Sequence, residues 1–398
     1  MIRNYRCSIA IIKFALVTIT LCIGLGIYPI TANDILQPWL AKEFLAMTFA
    51  SLTICFYLYY GGSISIRNPG VLACLVYLCI HPLILQKIDF GNISDNLIYS
   101  LSSSIPLVQV LIYFLFFAVV ASLKLSNRDL RNFVDIFCWL GVITAVYCFI
   151  QFLGYDQFQK FTDNQGTAFT TGKEITGFMG HPNQCGIFLV CTLPFIIFKR
   201  DWFKFIIVAI ACILTKSIVA IGGALAVSLL YLFIKSNKMT KILISAVALI
   251  GLCVGSIYLV NNPGVGSGRI ETWVEAWKLL ICGPDGNSHF IIGYGFGTFQ
   301  YLMIGYLGNT FNWMHFDGYQ WLFETGIVGL SLLIFSIIWL IRKKYKHIIK
   351  DEKRWVFAIS LIGLIICSFG SFVFQVEPLR FIGVFLFGFL HQKGELNE

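Results

Sequence analysis

Long apolar runs separated by short polar intervals repeat along the whole chain. They fall at roughly 8–30, 44–61, 70–85, 105–123, 133–153, 184–198, 203–215, 217–234, 241–261, 318–341, 355–373 and 379–392. A bilayer core takes about 20 apolar residues per helix. The pattern therefore predicts an all-α polytopic membrane protein with about twelve transmembrane helices, the shorter runs needing neighbours to bury their ends. The first run exceeds the ~7–15 apolar residues of a signal peptide, and no small-residue cleavage site follows it. It reads as a retained helix behind Arg3 and Arg6. Two intervals, 154–183 and 262–317, are too long for tight connectors, and long loops on a rigid scaffold are where function concentrates. No repeat of fixed period, low-complexity tract or soluble domain interrupts the pattern, so residues 1–398 read as one integral membrane domain.

Charge orients the spans. With the N-terminus inside, Arg3/Arg6, Arg67, Lys124/Arg128/Arg131, Lys199/Arg200/Lys204, Lys235/Lys238/Lys241, Arg342 through Arg354 and Lys393 all fall on one side. The other side keeps Lys42, Lys87, Lys160, Lys173, Lys216, Arg269, Lys278 and Arg380. About 20 basic residues inside against about 8 outside is the asymmetry of a cytoplasmic face. The net charge of +9 is thus a topology signal, not the basic stripe of a nucleic-acid binder. The run "RKKYKHIIKDEKR" reads as an orientation-fixing loop beside anionic lipid.

Composition agrees, since 58% hydrophobic and 12% charged residues lie far outside soluble-domain usage. The thirteen cysteines sit mostly in apolar runs, as Cys74, Cys79, Cys148, Cys212 and Cys253 do, with no C-x-x-C pair and no zinc-like spacing. They read as packing residues.

The candidate chemistry lies on the external side. In "GSGRIETWVEAWKLL", Trp273, Ala276, Trp277 and Leu280 recur at helical spacing and predict a short amphipathic helix along the membrane surface. Arg269 stands at its start, where unpaired backbone N–H groups and a guanidinium fork suit an anion; a headgroup-level anchor is the plainer alternative. His315, in "NWMHFDGYQWLFETG", opens the next span. Its imidazole can take a proton from a hydroxyl near neutral pH, and an amphipathic interfacial side chain is the alternative. "GFMGHPNQCG" predicts a turn entering the membrane, with Asn183 capping the following helix; substrate contact by His181 and Asn183, with His181 as the base in place of His315, is the competing assignment. Lys216, in "ILTKSIVAIGG", puts an ammonium on a tight external turn, as a functional charge or a snorkelling one. Glu324 lies nine residues beyond His315, roughly 13 Å along a helix, and is expected to pair with a polar group between helices.

The order "GHPNQCG" before a span, "SGRIETW" and "GYGFGTF" in the large external loop, and "HFDGYQWLFETGIVGL" opening the next span resembles the O-antigen ligase and polymerase superfamily of bacterial envelope glycosyltransferases. The resemblance covers roughly residues 177–335. It implies metal-independent, cofactor-free, inverting glycosyl transfer on the periplasmic face of the bacterial inner membrane, with both termini cytoplasmic. The implied partners are an undecaprenyl-diphosphate-linked glycan and the lipid bilayer, with a chain-length regulator as a further candidate. His315 falls on the family's base, and Arg269 on an arginine assigned to the diphosphate. One position departs: where the family carries a Ser-Arg or Thr-Arg pair, this chain has Lys216 and Ser217, a point charge without the bidentate fork.

A polymerase, joining the glycan to the next lipid-linked repeat unit, is expected over a ligase acting on lipid A core, because an acceptor that resembles the donor demands no extra recognition module. A transporter or flippase is the rival class. It would show ionisable or broken-helix positions near the bilayer midplane and repeated halves.

Overall fold

The computed structural model describes residues 6–21, 38–64, 68–85, 95–155, 175–246, 269–283, 288–295, 297–299, 302, 314–371, 373–374 and 378–392. Among them every regular element is a helix. The first group runs α1 (Arg6–Leu21), α2 (Pro38–Tyr59), α3 (Pro69–Leu85), α4 (Asp95–Ser122) and α5 (Asn127–Phe152). After a 3-10 turn (Gly177–Met179) come α6 (Pro182–Phe198), α7 (Trp202–Leu214) and α8 (Ile218–Lys235). The last group is α9 (Arg269–Cys282), α10 (Asp317–Lys350), α11 (Glu352–Ser368) and α12 (Leu379–Leu390).

Local chemistry sets many of these boundaries. Pro69 and Pro182 open helices, where a missing N–H costs nothing. Ser126 and Asp129 exchange hydrogen bonds as a capping box at the start of α5. Asp201, Ser217 and Asp351 cap α7, α8 and α11 through their side-chain oxygens. The residues that follow the last turns of α6 and α7, Arg200 and Lys216, take positive φ of 56° and 54°, the left-handed stop that glycine usually supplies.

The bundle is organised around α6, whose residues from Gln184 to Ile197 are all buried between α5, α7, α8 and α11. Phe195 stacks on Phe137 of α5 at 4.5 Å and meets Phe357 of α11 edge-on at 5.0 Å. Gly186 lets the backbone of α6 close on Ala220 of α8, and Gly141 of α5 makes room for Thr192. Around this centre α1 packs on α2, α3 on α10, and α4 on α2 and α12. The outer helices turn apolar stripes outward. Trp139, Ile143, Val146 and Ile150 of α5, and Phe203, Ile206, Ile210 and Ile213 of α7, are exposed at helical spacing, as surfaces facing lipid are.

Among the described residues three helices are long and apolar enough to cross a membrane unaided: Asn127–Phe152, Ile218–Lys235 and Asp317–Lys344. Six further apolar helical stretches of 10–17 residues lie among the described residues, two of them within the longer helices α2 and α4. The fold is that of a helical membrane protein, but among the described residues the expected twelve spans are not reached. An apolar run overstates a span when the helix inside it stops early. The run 203–215 forms a helix of 13 residues, which rises only about 20 Å. The run 355–373 ends as helix at Ser368. The span expected over 241–261 is helical to residue 246, and the rest lies outside the described residues, as do 156–174 of the first long loop and 262–268, 284–287, 296, 300–301 and 303–313 of the second.

Charge separates the two ends of the bundle. At one end Lys235 pairs with Glu352, Lys353 bonds Asn127 at 3.0 Å, and Lys344 reaches the carbonyl of Gln392 at 3.0 Å. Lys199, Arg200, Lys204 and Arg354 belong to the same end. The opposite end, the mouth, gathers the end of α5, the starts of α6, α8, α10 and α12, and the ends of α7 and α11.

Candidate functional site at the mouth of the bundle

The entry to α6 is held by a buried glutamine. Gln151, in the last turn of α5, accepts the N–H groups of Thr176 and Gly177 at 3.0 and 2.8 Å, and its amide donates to the Thr176 hydroxyl at 3.3 Å. Gly177 (φ 52°) and Gly180 (φ 74°) then make the turn; a side chain on Gly177 would overlap the Cys185 sulfur. The cap of α6 is His181, not Asn183 as expected. Pro182 occupies the first helical position and has no N–H, so the first available donor is Asn183 N–H, which the imidazole Nδ1 of His181 accepts at 3.2 Å. That bond fixes the proton of neutral His181 on Nε2. To serve as a base through Nδ1, His181 would have to release the cap.

Lys216 lies beside this entry. Gly186 of α6 packs against Thr215, Ser217 and Ala220. The N–H of Lys216 bonds the carbonyl of Ile213 at 2.9 Å, closing the left-handed stop of α7, and its side chain is exposed.

His315 occupies a second unit. It has φ 56°, in the left-handed region that non-glycine residues seldom occupy. Its neighbours are fixed on both sides. The carbonyl of Met314 accepts the Trp273 indole N–H at 2.6 Å, and the N–H of Met314 donates to Gln320 Oε1 at 3.4 Å. The carboxylate of Asp317 accepts the N–H groups of Val373 and Phe374 at 2.7 and 3.0 Å, and Phe316 packs on Phe369 at 5.1 Å. Trp273 is one helical turn after Arg269, the first residue of α9, and the Tyr319 hydroxyl ties the Trp273 carbonyl to α10 at 2.8 Å. The start of α9 and the His315 turn are therefore one hydrogen-bonded unit. The turn after α11 joins it to the α6–α8 unit, because Gly370 packs on Val219 while Phe369 carries Phe316.

As expected, α9 is amphipathic, with Ala276 and Leu280 fully buried and Trp273 half-buried. It also carries a second apolar stripe, exposed, of Ile270, Val274, Trp277 and Ile281.

The span read as continuous over 318–341 is broken. Gly326 has φ 67° and ψ −175°, a conformation essentially confined to glycine, so α10 consists of Asp317–Thr325 and 327–350. The glycine-aromatic loop heals the break. Tyr294 and Gly295 donate their N–H groups to the carbonyls of Phe323 and Glu324 at 3.0 and 2.8 Å. Ile327 and Val328 donate to the carbonyls of Phe290 and Ile291 at 2.9 and 3.3 Å, and Tyr77 of α3 covers the Thr325 carbonyl at 2.7 Å. Glu324 pairs as expected with polar groups, but the partners are mainly backbone: its carboxylate accepts the N–H groups of Gly297 and Phe299 and the Gln320 amide at 3.0 Å.

Four residues that shape the mouth were not singled out from the sequence: Gln151, Trp273 as a hydrogen-bond donor, Asp317 and Gln320. Asp317, Gln320 and Glu324 recur at i, i+3 and i+7, a polar stripe on an otherwise apolar helix that was open to reading. Arg380, another cation at the mouth, bonds the Phe374 carbonyl at 2.9 Å and Gln109 at 3.3 Å. Comparison of the chain with protein-family models and with curated proteins found no match.

Proposed function

We propose that the protein is a polysaccharide polymerase of the bacterial inner membrane, transferring a glycan from undecaprenyl diphosphate to a lipid-linked repeat unit. The basic end faces the cytoplasm, the mouth faces the periplasm, and both termini are cytoplasmic. The observation that carries the reading is the His315 turn: an imidazole in a left-handed conformation, locked from both sides and bonded to the helix that Arg269 opens. Strained backbone that the surroundings over-determine is characteristic of reacting sites.

In the reaction the acceptor hydroxyl oxygen attacks the anomeric carbon of the donor sugar as its proton passes to His315. The bond from that carbon to the diphosphate breaks with inversion, and the electron pair leaves on the lipid diphosphate. Arg269, at a helix start, stabilises the departing negative charge. Lys216, exposed beside the α6 entry, is the second cation. His181 and Asn183 hold the entry to α6 against which substrate is bound. The exposed stripe of α9 rests in the headgroup region and keeps Arg269 at the depth of the lipid diphosphate.

The break at Gly326 favours a transporter or flippase on its face, since discontinuous helices line the binding sites of transporters. Here, however, the backbone groups freed by the break are bonded to the 290–295 loop and Tyr77, so the break is filled by the chain itself.

Lipopolysaccharide from a strain lacking the gene separates the readings. A core carrying one repeat unit is the expected result. A bare core with accumulated lipid-linked polymer identifies a ligase, and repeat units trapped on the cytoplasmic face identify a flippase.

A further inference from the structure

We infer that Glu324 and Gln320 are positioning residues, which lock the His315 turn to the glycine-aromatic loop through a directional hydrogen-bond relay. The inference rests on the proposed role of His315 for its meaning in transfer, but not for its geometry.

The relay starts at the loop. The N–H groups of Gly297 and Phe299 converge on the Glu324 carboxylate, which also accepts from Gln320 Nε2 at 3.0 Å. A carboxylate only accepts, so the amide of Gln320 must face it with nitrogen and turn Oε1 the other way. That oxygen receives the N–H of Met314 at 3.4 Å, immediately before His315. On its other side the carbonyl of Met314 is held by Trp273 of α9. Gln320, Glu324 and Met314 are each at most 2% exposed, so water does not compete for these bonds. Every link has a fixed direction, running from loop to carboxylate to amide to the turn. The left-handed φ of His315 is thereby tied to a loop that itself splices the broken helix.

Directionality supplies the test. In Glu324→Gln the new amide must point its NH2 either at the loop N–H groups or at the Gln320 NH2, donor against donor, and the relay opens. Exchanging the pair, Gln320→Glu with Glu324→Gln, restores it: the carboxylate at position 320 accepts from Met314 and from the amide at position 324, whose oxygen accepts the loop N–H groups. Full-length protein in detergent is treated with diethyl pyrocarbonate, and carbethoxylation of His315 is followed by peptide mass spectrometry. In parallel, transfer is measured with a defined undecaprenyl-diphosphate-linked repeat unit.

Glu324→Gln is expected to raise the His315 modification rate at least about threefold as the turn opens. Its kcat is expected to fall about 10–100-fold with KM changed far less, because the reacting group is misplaced while substrate contacts persist. The exchanged pair is expected to return both readouts to within about twofold of wild type. An unchanged His315 rate in the single variant overturns the inference. So does an exchanged pair as impaired as the single variant, since the carboxylate itself would then be what position 324 requires. Should Glu324→Gln not accumulate, Gln320→Leu cuts the same relay one link later and is judged by the His315 rate. Absence of transfer by wild-type protein refutes the polymerase reading alone, as the His315 rates still decide the positioning claim.

Discussion

The two ends of the bundle solve the problem of polar groups beside a membrane in different ways. At the basic end, charged side chains pair with one another near the surface: Lys235 with Glu352, Lys199 with Asp135 at 2.7 Å, Lys204 with Asp201 at 2.9 Å. Such pairs are interchangeable in geometry and weak. At the mouth, buried side chains are bonded mainly to backbone, a contact the basic end also uses at Lys344 and Asp351. Gln151 holds Thr176 and Gly177, Asp317 holds Val373 and Phe374, and Glu324 holds Gly297 and Phe299. Side chain to backbone bonds fix where the chain goes, which the first kind of contact cannot do. The mouth also contains His315, a non-glycine residue of positive φ held from both sides, whereas Arg200 at the basic end has the same φ because α6 terminates there. One end sets orientation, and the other sets positions.

Substitutions can break this comparison. The largest effect on transfer is expected from His315→Ala and Arg269→Ala, each lowering the rate by about 100-fold or more while the protein accumulates normally in membranes. Wild-type polymer lengths in both variants would contradict the assignment of the mouth as the reacting end.

The largest effect on stability is expected from Gly326→Val. The backbone there is nearly glycine-only, and a side chain would overlap the Ile291 carbonyl. The backbone strain alone is about 1–3 kcal/mol, before the overlap is counted. Thermal unfolding in detergent measures it, and an unshifted Tm would show that the loop is not spliced into α10 as described.

Lys216→Gly separates two roles of one residue. Glycine suits the left-handed stop, so the substitution is expected to leave stability unchanged or raise it by up to about 1 kcal/mol. Transfer is expected to fall by about tenfold if the ammonium faces the diphosphate, and to stay at the wild-type rate if the lysine only snorkels. The smallest effect is expected at the basic end, where Lys235→Ala should cost about 0–1 kcal/mol and leave transfer intact. A loss of transfer there would erase the functional contrast between the ends.

Much of the scaffold was legible from local signals. Prolines at 69 and 182 mark helix starts, and most apolar runs overlap a helix, though α4 begins ten residues before its run and α10 extends nine beyond its own. The helix α9 was readable from spacing, as were Ala276 and Leu280 on its buried face, but Trp277, expected with them, is exposed. What was hidden is non-local. Nothing in "FETGIVGL" distinguishes a glycine tolerated in a membrane helix from one that breaks it, because the break exists only where the 290–295 loop supplies replacement bonds. Asn183 outranks histidine as a cap in general, but Pro182 shifts the first donor by one residue and hands the role to His181. The partners of Glu324, two backbone N–H groups from a loop remote in sequence, could not be read from helix spacing. Arg269 and His315 stand some 45 residues apart in sequence, and Trp273 and Met314 are what join their segments.

The most direct measurement is transfer by the purified chain in lipid nanodiscs, given only a defined undecaprenyl-diphosphate-linked repeat unit and read as a ladder of chain lengths. A ladder from wild-type protein and none from His315→Ala is the predicted result. No product from wild type, or an identical ladder from His315→Ala, would contradict the claim that the mouth of this bundle is a glycosyl-transfer site.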